Sequence, residues 1–171
     1  MKVLVTAASK HGSTAEIASV IAGFLRRADI EVDLVAPETV DTLATYDAVV
    51  VGSAVYAGHW LGPAKAFVLR YRLELADLPV FLFSSGPVGD SPKPAQDPSD
   101  IAELDEAIGA VDHQVFAGRV ARSQLGFFER LVTTVVHADG DFRPWDDIAE
   151  WAKEIARFLN GERIAEPAGV R

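Results

Sequence analysis

Hydrophobic positions along the chain follow two different spacings in turn. Short apolar, β-branched runs predict five strands: Lys2–Thr6, Glu31–Val35, Asp47–Ser53, Pro79–Ser84 and Gln114–Val120. Between these runs, apolar residues recur every three or four positions, which predicts helices. The predicted helices are Ser13–Arg27, Leu61–Leu75, one capped by Ser99 or Asp100 that runs to about Val111, and a last one from Trp145 to about Asn160.

Strands that alternate with helices predict an α/β fold in which helices cover both faces of a parallel sheet. We therefore expect a three-layer sandwich whose five-stranded parallel sheet has the order 2-1-3-4-5. Residues 1–161 would form a single domain, and residues 162–171 a flexible tail. Residues 121–144 form an insert between the fifth strand and the last helix. This insert is either a helix that packs on the core or a lid or docking surface near the site.

Composition narrows the classes of function. The net charge of −9 argues against a nucleic-acid partner, which needs clustered Lys and Arg. The same charge suits docking to a basic partner, or serves solubility alone. The absence of cysteine removes disulfides and thiolate chemistry, and the four histidines lack metal-ligand spacing, so we expect no metal. The sequence predicts a cytoplasmic protein, with contact to a membrane through Phe127 and Phe128 as an open alternative.

In a sheet of this order, ligands bind at the carboxyl ends of the strands where the strand order reverses. The loop after the first strand, Ser9–Thr14, reads SKHGST and leads into a helix. Its hydroxyls, Gly12 and the amides of the helix N-terminus could hold a phosphate group. The alternative is that Ser13 or Thr14 simply caps the helix.

Two further loops should converge on the same edge of the sheet. The loop after the third strand, Ser53–Trp60, reads SAVYAGHW and can enclose a flat ring or can cover the end of the sheet. The loop after the fourth strand, Ser84–Asp90, reads SSGPVGD and can bring backbone amides to a heterocycle or can be a glycine-rich turn. Together the three loops predict a site for a mononucleotide with a flat head group.

These loops resemble those of the flavodoxin-like family. SKHGST keeps Ser9, Gly12 and Thr14 of the family's phosphate loop, with His11 where a hydroxyl residue is usual. The stretches VVVGSAVYAGHW, FLFSSGPVGD and DFRPWDDIAEWAKEIA resemble the flavodoxin-domain branch that includes menaquinone-dependent protoporphyrinogen dehydrogenase. Two departures are Tyr56-Ala57, where that enzyme has Arg-Tyr, and an insert that is shorter and less basic.

The resemblance implies that FMN binds without a covalent link. It implies cofactor-binding residues in all three loops; these are Ser9, Lys10, His11, Gly12, Ser13, Thr14, Ser53, Ala54, Val55, Tyr56, Ala57, Gly58, His59, Ser84, Ser85, Gly86, Pro87, Val88 and Gly89. A cationic His11 would help to bind the phosphate dianion. His59 is the candidate catalytic residue, and its alternative role is a structural hydrogen bond to a backbone carbonyl.

Three functions remain open at this point. The first is an FMN-dependent oxidoreductase that acts on a quinone or a protoporphyrinogen-type substrate. The second is a flavodoxin-type electron carrier, without a substrate of its own, that docks to a redox partner protein. The third is a flavin-free, receiver-like domain, which is disfavoured because TAASK lacks the acidic residues that receivers carry after the first strand.

Overall fold

The computed structural model describes residues 1–86, 99–117, 119–120, 140–141 and 143–162. The strands are β1 (Lys2–Ala8), β2 (Glu31–Val35), β3 (Ala48–Tyr56), β4 (His59–Trp60), β5 (Val80–Ser85), β6 (Asp112–Phe116), β7 (Arg119–Val120) and β8 (Gly140–Asp141). The helices are α1 (Ser13–Arg27), α2 (Gly62–Arg70), α3 (Arg72–Ala76), α4 (Ile101–Ile108) and α5 (Trp145–Leu159), and a 3₁₀ turn covers Pro37–Thr39.

The main sheet has the order β2-β1-β3-β5-β6, and all neighbours along this path are parallel. Since β5 and β6 are the fourth and fifth predicted strands, the predicted order 2-1-3-4-5 is confirmed. The strand order reverses between β1 and β3, whose central residues Val5 and Val50 pair across the ladder. The carboxyl ends of β1, β3 and β5 therefore lie side by side at one edge of the sheet.

Helices cover both faces of this sheet, as the predicted three-layer sandwich requires. On one face α1 and α5 pack their apolar stripes, including Ile17, Ile21 and Ile155, against β1, β3 and β5. On the other face α2, α3 and α4 pack Phe67, Leu75 and other apolar side chains. The α1 stripe was predictable because its apolar residues recur at helical spacing, and the helix bounds match the prediction.

Two predicted elements in the first half of the chain depart substantially from the observed ones, while β1 continues only two residues further than predicted, to Ala8. The third strand continues to Tyr56 instead of ending at Ser53, and it turns back into β4, so much of the predicted loop is strand. The predicted helix Leu61–Leu75 is broken at Tyr71, whose buried hydroxyl donates a hydrogen bond to the carbonyl of Val40. This tertiary contact has no counterpart in the local pattern of the sequence.

The predicted fifth strand, Gln114–Val120, is also wrong in its bounds. Strand β6 ends at Phe116, and Arg119–Val120 instead forms β7, which pairs with β8 in an antiparallel ladder. This ladder joins the two ends of the insert. Most of the insert, with Phe127 and Phe128, lies outside the described residues, as does the chain beyond Glu162. In the described part of the chain, no helix combines the length and the apolar character needed to cross a bilayer.

Candidate functional site

Gly12 forms the N-cap of α1, in the loop that follows β1. Its φ of 85° is left-handed, a conformation that glycine adopts without strain, and a Cβ built there would meet nothing within 4 Å. Because glycine has no side chain, the N-cap residue itself offers no acceptor to the first-turn amides of α1. Ser13 and Thr14 lie inside the helix, so the alternative that one of them is the N-cap is wrong.

The loop after β1 meets the loop after β3 at Tyr56. The Nζ of Lys10 lies 5.1 Å from the centroid of the Tyr56 ring. The ring of His11 lies 6.4 Å from the same centroid, at an interplanar angle of 57°. The phosphate-loop candidates and the first ring-binding candidate are therefore neighbours, as the topology predicts.

A tight turn joins β3 to β4 at the mouth of the site. Tyr56 pairs with His59 across the hairpin, which leaves Ala57 and Gly58 as the two turn residues. Their φ angles are 50° and 79°, the pattern of a type I′ hairpin turn. Ala57, Gly58 and His59 are all exposed, so this turn presents backbone and an imidazole to any bound molecule.

Unlike the exposed turn residues, Ser53 and Ser84 are fully buried and hydrogen-bonded within the protein. The Oγ of Ser53 accepts from the amide of Leu61 at 2.9 Å and donates to the carbonyl of Ala54 at 2.9 Å. The Oγ of Ser84 accepts from the indole N–H of Trp60 at 2.8 Å and lies 2.9 Å from Nε2 of His113. The Ser84 hydroxyl therefore ties the loop after β5 to the loop after β3, and the Ser53 hydroxyl closes the loop after β3 on itself.

The loop after β5 begins at Gly86, whose φ of 94° is again left-handed. Its amide donates to the carbonyl of Phe116 at 3.0 Å, which ties this end of β5 to the end of β6. Among the other candidates in these loops, Ala54, Val55 and Ser85 are buried, while Pro87, Val88 and Gly89 lie outside the described residues.

The carboxylate of Asp100 contacts His59, an interaction that the sequence does not predict. Its Nδ1 lies 2.9 Å from Oδ1 of Asp100 and 3.0 Å from Oγ of Ser99. The other oxygen of Asp100 accepts from the amide of Trp60 at 2.9 Å and lies 3.4 Å from Nζ of Lys65. The predicted alternative, a bond to a backbone carbonyl, is replaced by a bond to a side-chain carboxylate.

Asp100 is held in its ionised form. Burial acts to raise its pKa, but the hydrogen bonds from His59, from the amide of Trp60 and from Lys65 together lower the pKa below its usual value. An ionised carboxylate only accepts hydrogen bonds, so Nδ1 of His59 carries the proton between them. This arrangement leaves Nε2 as the nitrogen of His59 that is available to a bound molecule. The His59 side chain is 56% exposed, so it can reach a bound molecule.

Arg143 is a second residue that the sequence analysis missed. It follows the insert, yet its guanidinium forms an ion pair with Glu16 in the first turn of α1. The two residues are 127 positions apart, so no local pattern could have connected them. Among the described residues, no group of three or more His, Cys, Asp or Glu side chains is arranged to hold a metal ion.

The geometry of these loops fits a flavin mononucleotide. The first-turn amides of α1 and the neighbouring hydroxyls suit a phosphate group. Tyr56 and the left-handed glycines Gly58 and Gly86 suit a flat ring that needs an aromatic face and close backbone approach. The groups at this edge of the sheet therefore suit a cofactor with one phosphate and one planar heterocycle.

Comparison with known proteins also points to a flavodoxin-like protein. The family model described as flavodoxin domain matches residues 4–141. Protoporphyrinogen IX dehydrogenase [quinone] of Escherichia coli strain K12 is 24% identical over 176 residues, which cover 94% of this chain and 97% of that protein.

Solved structures show the same fold. A cysteine-to-serine mutant of flavodoxin from Pseudomonas aeruginosa superposes with a TM-score of 0.64 at 18% identity, over 94% of this chain and all (100%) of that one. Rubredoxin oxygen:oxidoreductase from Desulfovibrio gigas gives a TM-score of 0.64 at 18% identity, over 94% of this chain. This chain spans only 36% of the length of that oxidoreductase. The chain therefore belongs to the flavodoxin domain family, and it is an FMN-binding, flavodoxin-like oxidoreductase.

Proposed function

We propose that this protein uses FMN to oxidise or reduce a flat substrate of the quinone or protoporphyrinogen type. The observation that carries this proposal is the His59–Asp100 pair at the mouth of the site. A protein that only relays electrons has no need of an imidazole oriented by a carboxylate beside its cofactor. The relative that matches over 97% of its own length is named for the same class of substrate, which supports the assignment.

The phosphate of FMN would bind at the loop Ser9–Thr14. The backbone amides at the start of α1 would donate to its oxygens, and the hydroxyls of Ser9 and Ser13 would add further donors. Lys10 lies close enough to Tyr56 to place a positive charge beside that ring, and the ring of His11 lies near the same side chain. Thr14 is only 1% exposed, so it would stabilise the first turn of α1 by packing and would not contact the phosphate with its side chain.

The ring would lie between the hairpin turn and the loop after β5. Tyr56, Ala57 and Gly58 would flank it on the side of β3, and Gly86 with the predicted residues Pro87, Val88 and Gly89 on the side of β5. Ser53 and Ser84 would act indirectly, since their hydroxyls already hold the two loops in place. When bound, FMN supplies the redox chemistry, and the protein supplies orientation and protons.

His59 would move the proton that accompanies the electrons. Reduction of a quinone consumes protons, and oxidation of a porphyrinogen releases them. With Nδ1 bonded to Asp100, a neutral His59 can accept a proton at Nε2, and a cationic His59 can donate one there. Asp100 fixes the orientation of the His59 ring, Ser99 contacts the same nitrogen of His59, and Lys65 pairs with Asp100.

The second candidate is a flavodoxin-type electron carrier that docks to a redox partner protein. The net charge of −9 favours it because an acidic surface steers association with a basic partner. Such a carrier would need no proton donor at the mouth of the site. The two functions therefore differ in whether His59 matters to turnover.

Steady-state turnover separates the two candidates. Flavin-loaded protein should transfer electrons from protoporphyrinogen to a menaquinone analogue in steady state, and His59→Gln should lower kcat by about a hundredfold. Asp100→Asn should lower kcat less and should change the pH profile, because His59 loses its ionised partner. Asp77→Asn, at the exposed end of α3, is the matched control. Full turnover by His59→Gln would remove its catalytic role, and fast electron transfer to redox proteins without substrate turnover would establish the carrier.

A further inference from the structure

We propose that Arg143 makes the site selective for phosphorylated flavin by neutralising Glu16 beside the phosphate loop. This inference rests on the proposed binding of the FMN phosphate at Ser9–Thr14. It adds a residue from the far end of the chain to that site, and it assigns that residue an electrostatic role. Arg143 would act as a positioning and charge-compensating residue, without taking part in the redox reaction.

The ion pair sits on the first turn of α1. The amide of Glu16 donates to the carbonyl of Gly12 at 2.9 Å, which places Glu16 one turn from the N-cap. Nη1 of Arg143 forms an ion pair with Oε2 of Glu16 and lies 3.5 Å from the carbonyl oxygen of Ser13. One helical turn rises about 5.4 Å, so Glu16 lies about one turn along the helix from the N-terminal amides where the phosphate would bind.

Arg143 is fixed in this place. Its side chain is only 3% exposed, whereas that of Glu16 is 53% exposed. The guanidinium carbon lies 4.2 Å from the centroid of the Trp145 ring at the start of α5, which orients its plane. A buried arginine is strongly destabilising when its charge has no partner, and Glu16 supplies that partner here. The Arg143 side of the pair is therefore held in place by its surroundings, while the Glu16 side faces solvent.

The charge of Glu16 alone would oppose phosphate binding. A carboxylate in the first turn of a helix interacts favourably with the helix dipole, and a bound phosphate would compete for the same positive end. At physiological salt the screening length is about 8 Å, so an unpaired Glu16 would repel the dianion across one helical turn. Arg143 cancels this repulsion, and its removal should weaken the binding of the phosphate group alone.

The comparison of FMN with riboflavin isolates this effect, because riboflavin carries the same ring without the phosphate. A purely structural role for Arg143 would disturb both ligands equally. A charge-compensating role would change the affinity for FMN and leave that for riboflavin unchanged. The ratio of the two dissociation constants is therefore the quantity to measure.

The experiment is a fluorescence titration of the flavin-free, full-length protein with each ligand at low salt. Arg143→Ala should raise the Kd for FMN by about tenfold and leave the Kd for riboflavin unchanged. Glu16→Gln keeps an acceptor oxygen for Arg143, and should tighten FMN binding by a similar factor. The double variant should return the ratio of the two constants close to the wild-type value. Arg157→Ala is the matched control, since Arg157 pairs with Glu150 at 3.1 Å in the last turn of α5, away from the site.

The titrations can overturn either the role of Arg143 or the proposed function, and the two failures look different. Equal losses for FMN and riboflavin, or an unchanged FMN Kd in both single variants, would overturn the inference and leave the proposed function in place. If Arg143→Ala does not fold, Glu16→Gln still tests the sign of the effect, and looser FMN binding in that variant would overturn the inference. A wild-type protein that binds neither flavin would overturn the proposed function and this inference with it.

Discussion

The ring of Phe83 occupies the space where a side chain at Gly52 would stand. A Cβ built on Gly52 would lie 2.0 Å from Cζ of Phe83, and the two residues pair across β3 and β5. Phe83 is fully buried and also meets the rings of Phe116 and Trp151, at centroid distances of 6.3 and 6.1 Å. This contact lies one residue before Ser53 and Ser84, where both strands reach the candidate site.

Gly52→Ala should destabilise the protein by about 2 kcal/mol or more, since the Phe83 ring has no room to move. Chemical denaturation measures the free energy of unfolding. Gly23→Ala is the control, because a Cβ at that position in α1 would meet nothing within 4 Å, and it should stabilise by about 0.5 to 1 kcal/mol. A Gly52→Ala protein as stable as the wild type would show that the ring can move aside.

The hairpin turn stores backbone strain at Ala57. Its φ of 50° is unfavourable for a residue with a Cβ, whereas its neighbour Gly58 tolerates a φ of 79°. Ala57→Gly should relieve this strain, although glycine has more backbone freedom in the unfolded chain. The net effect should be a rise of about 0.5 to 1 kcal/mol in the free energy of unfolding. Gly58→Ala should lower it by about 1 kcal/mol. Thermal unfolding of the two variants should shift in opposite directions, and a shared direction would refute this explanation.

This turn also shows what the sequence could not reveal. Asn-Gly and Asp-Gly are the usual signals of a type I′ turn, and an Ala-Gly pair is not one of them, so SAVYAGHW was predicted to be a loop. The loop was nonetheless assigned to the correct edge of the sheet, because strand order alone determines which loops converge. The pattern of apolar residues was sufficient for α1 and for the order of the strands.

Thr6 has a buried hydroxyl on β1. The residue is fully buried, and its Oγ1 has no hydrogen-bond partner among the described residues. Thr6→Val preserves the shape of the side chain and removes the unsatisfied group, so it should stabilise the protein by about 1 kcal/mol. Thr6→Ser retains the hydroxyl and loses a methyl group, so it should destabilise. Denaturant unfolding would contradict this view if Thr6→Val were the less stable of the two variants.

Asp100 should contribute to a pH dependence of stability. Burial would raise its pKa, but the hydrogen bonds from His59, Trp60 and Lys65 lower it below that of the unfolded chain. Its contribution is therefore fully present above the unfolded value of about 4 and is lost as the pH falls through the lower, folded pKa. Asp100→Asn should lose most stability at neutral pH and approach the wild type in acid. Urea unfolding over a pH series tests this, and a difference that grows toward low pH would contradict it.

The long-range contacts of the site were beyond sequence reasoning for a physical reason. Asp100 reaches His59 across 41 positions, and Arg143 reaches Glu16 across 127. Both contacts depend on how helices pack at the edge of the sheet, which the spacing of apolar residues along a single element does not specify. Residue types in a loop suggested a phosphate site, but they could not indicate which distant charges would surround it.

The central claim is that the loop at the start of α1 holds the phosphate of FMN. The most direct test is to titrate the flavin-free, ¹⁵N-labelled protein with FMN and to follow its backbone amide signals. The amides of Gly12, Ser13 and Thr14 should shift in saturable fashion with FMN, and those of Ala57 and Gly58 with both FMN and riboflavin. Tight FMN binding that leaves the amides of Gly12, Ser13 and Thr14 unmoved would contradict the phosphate assignment, and the absence of any binding would contradict the account as a whole.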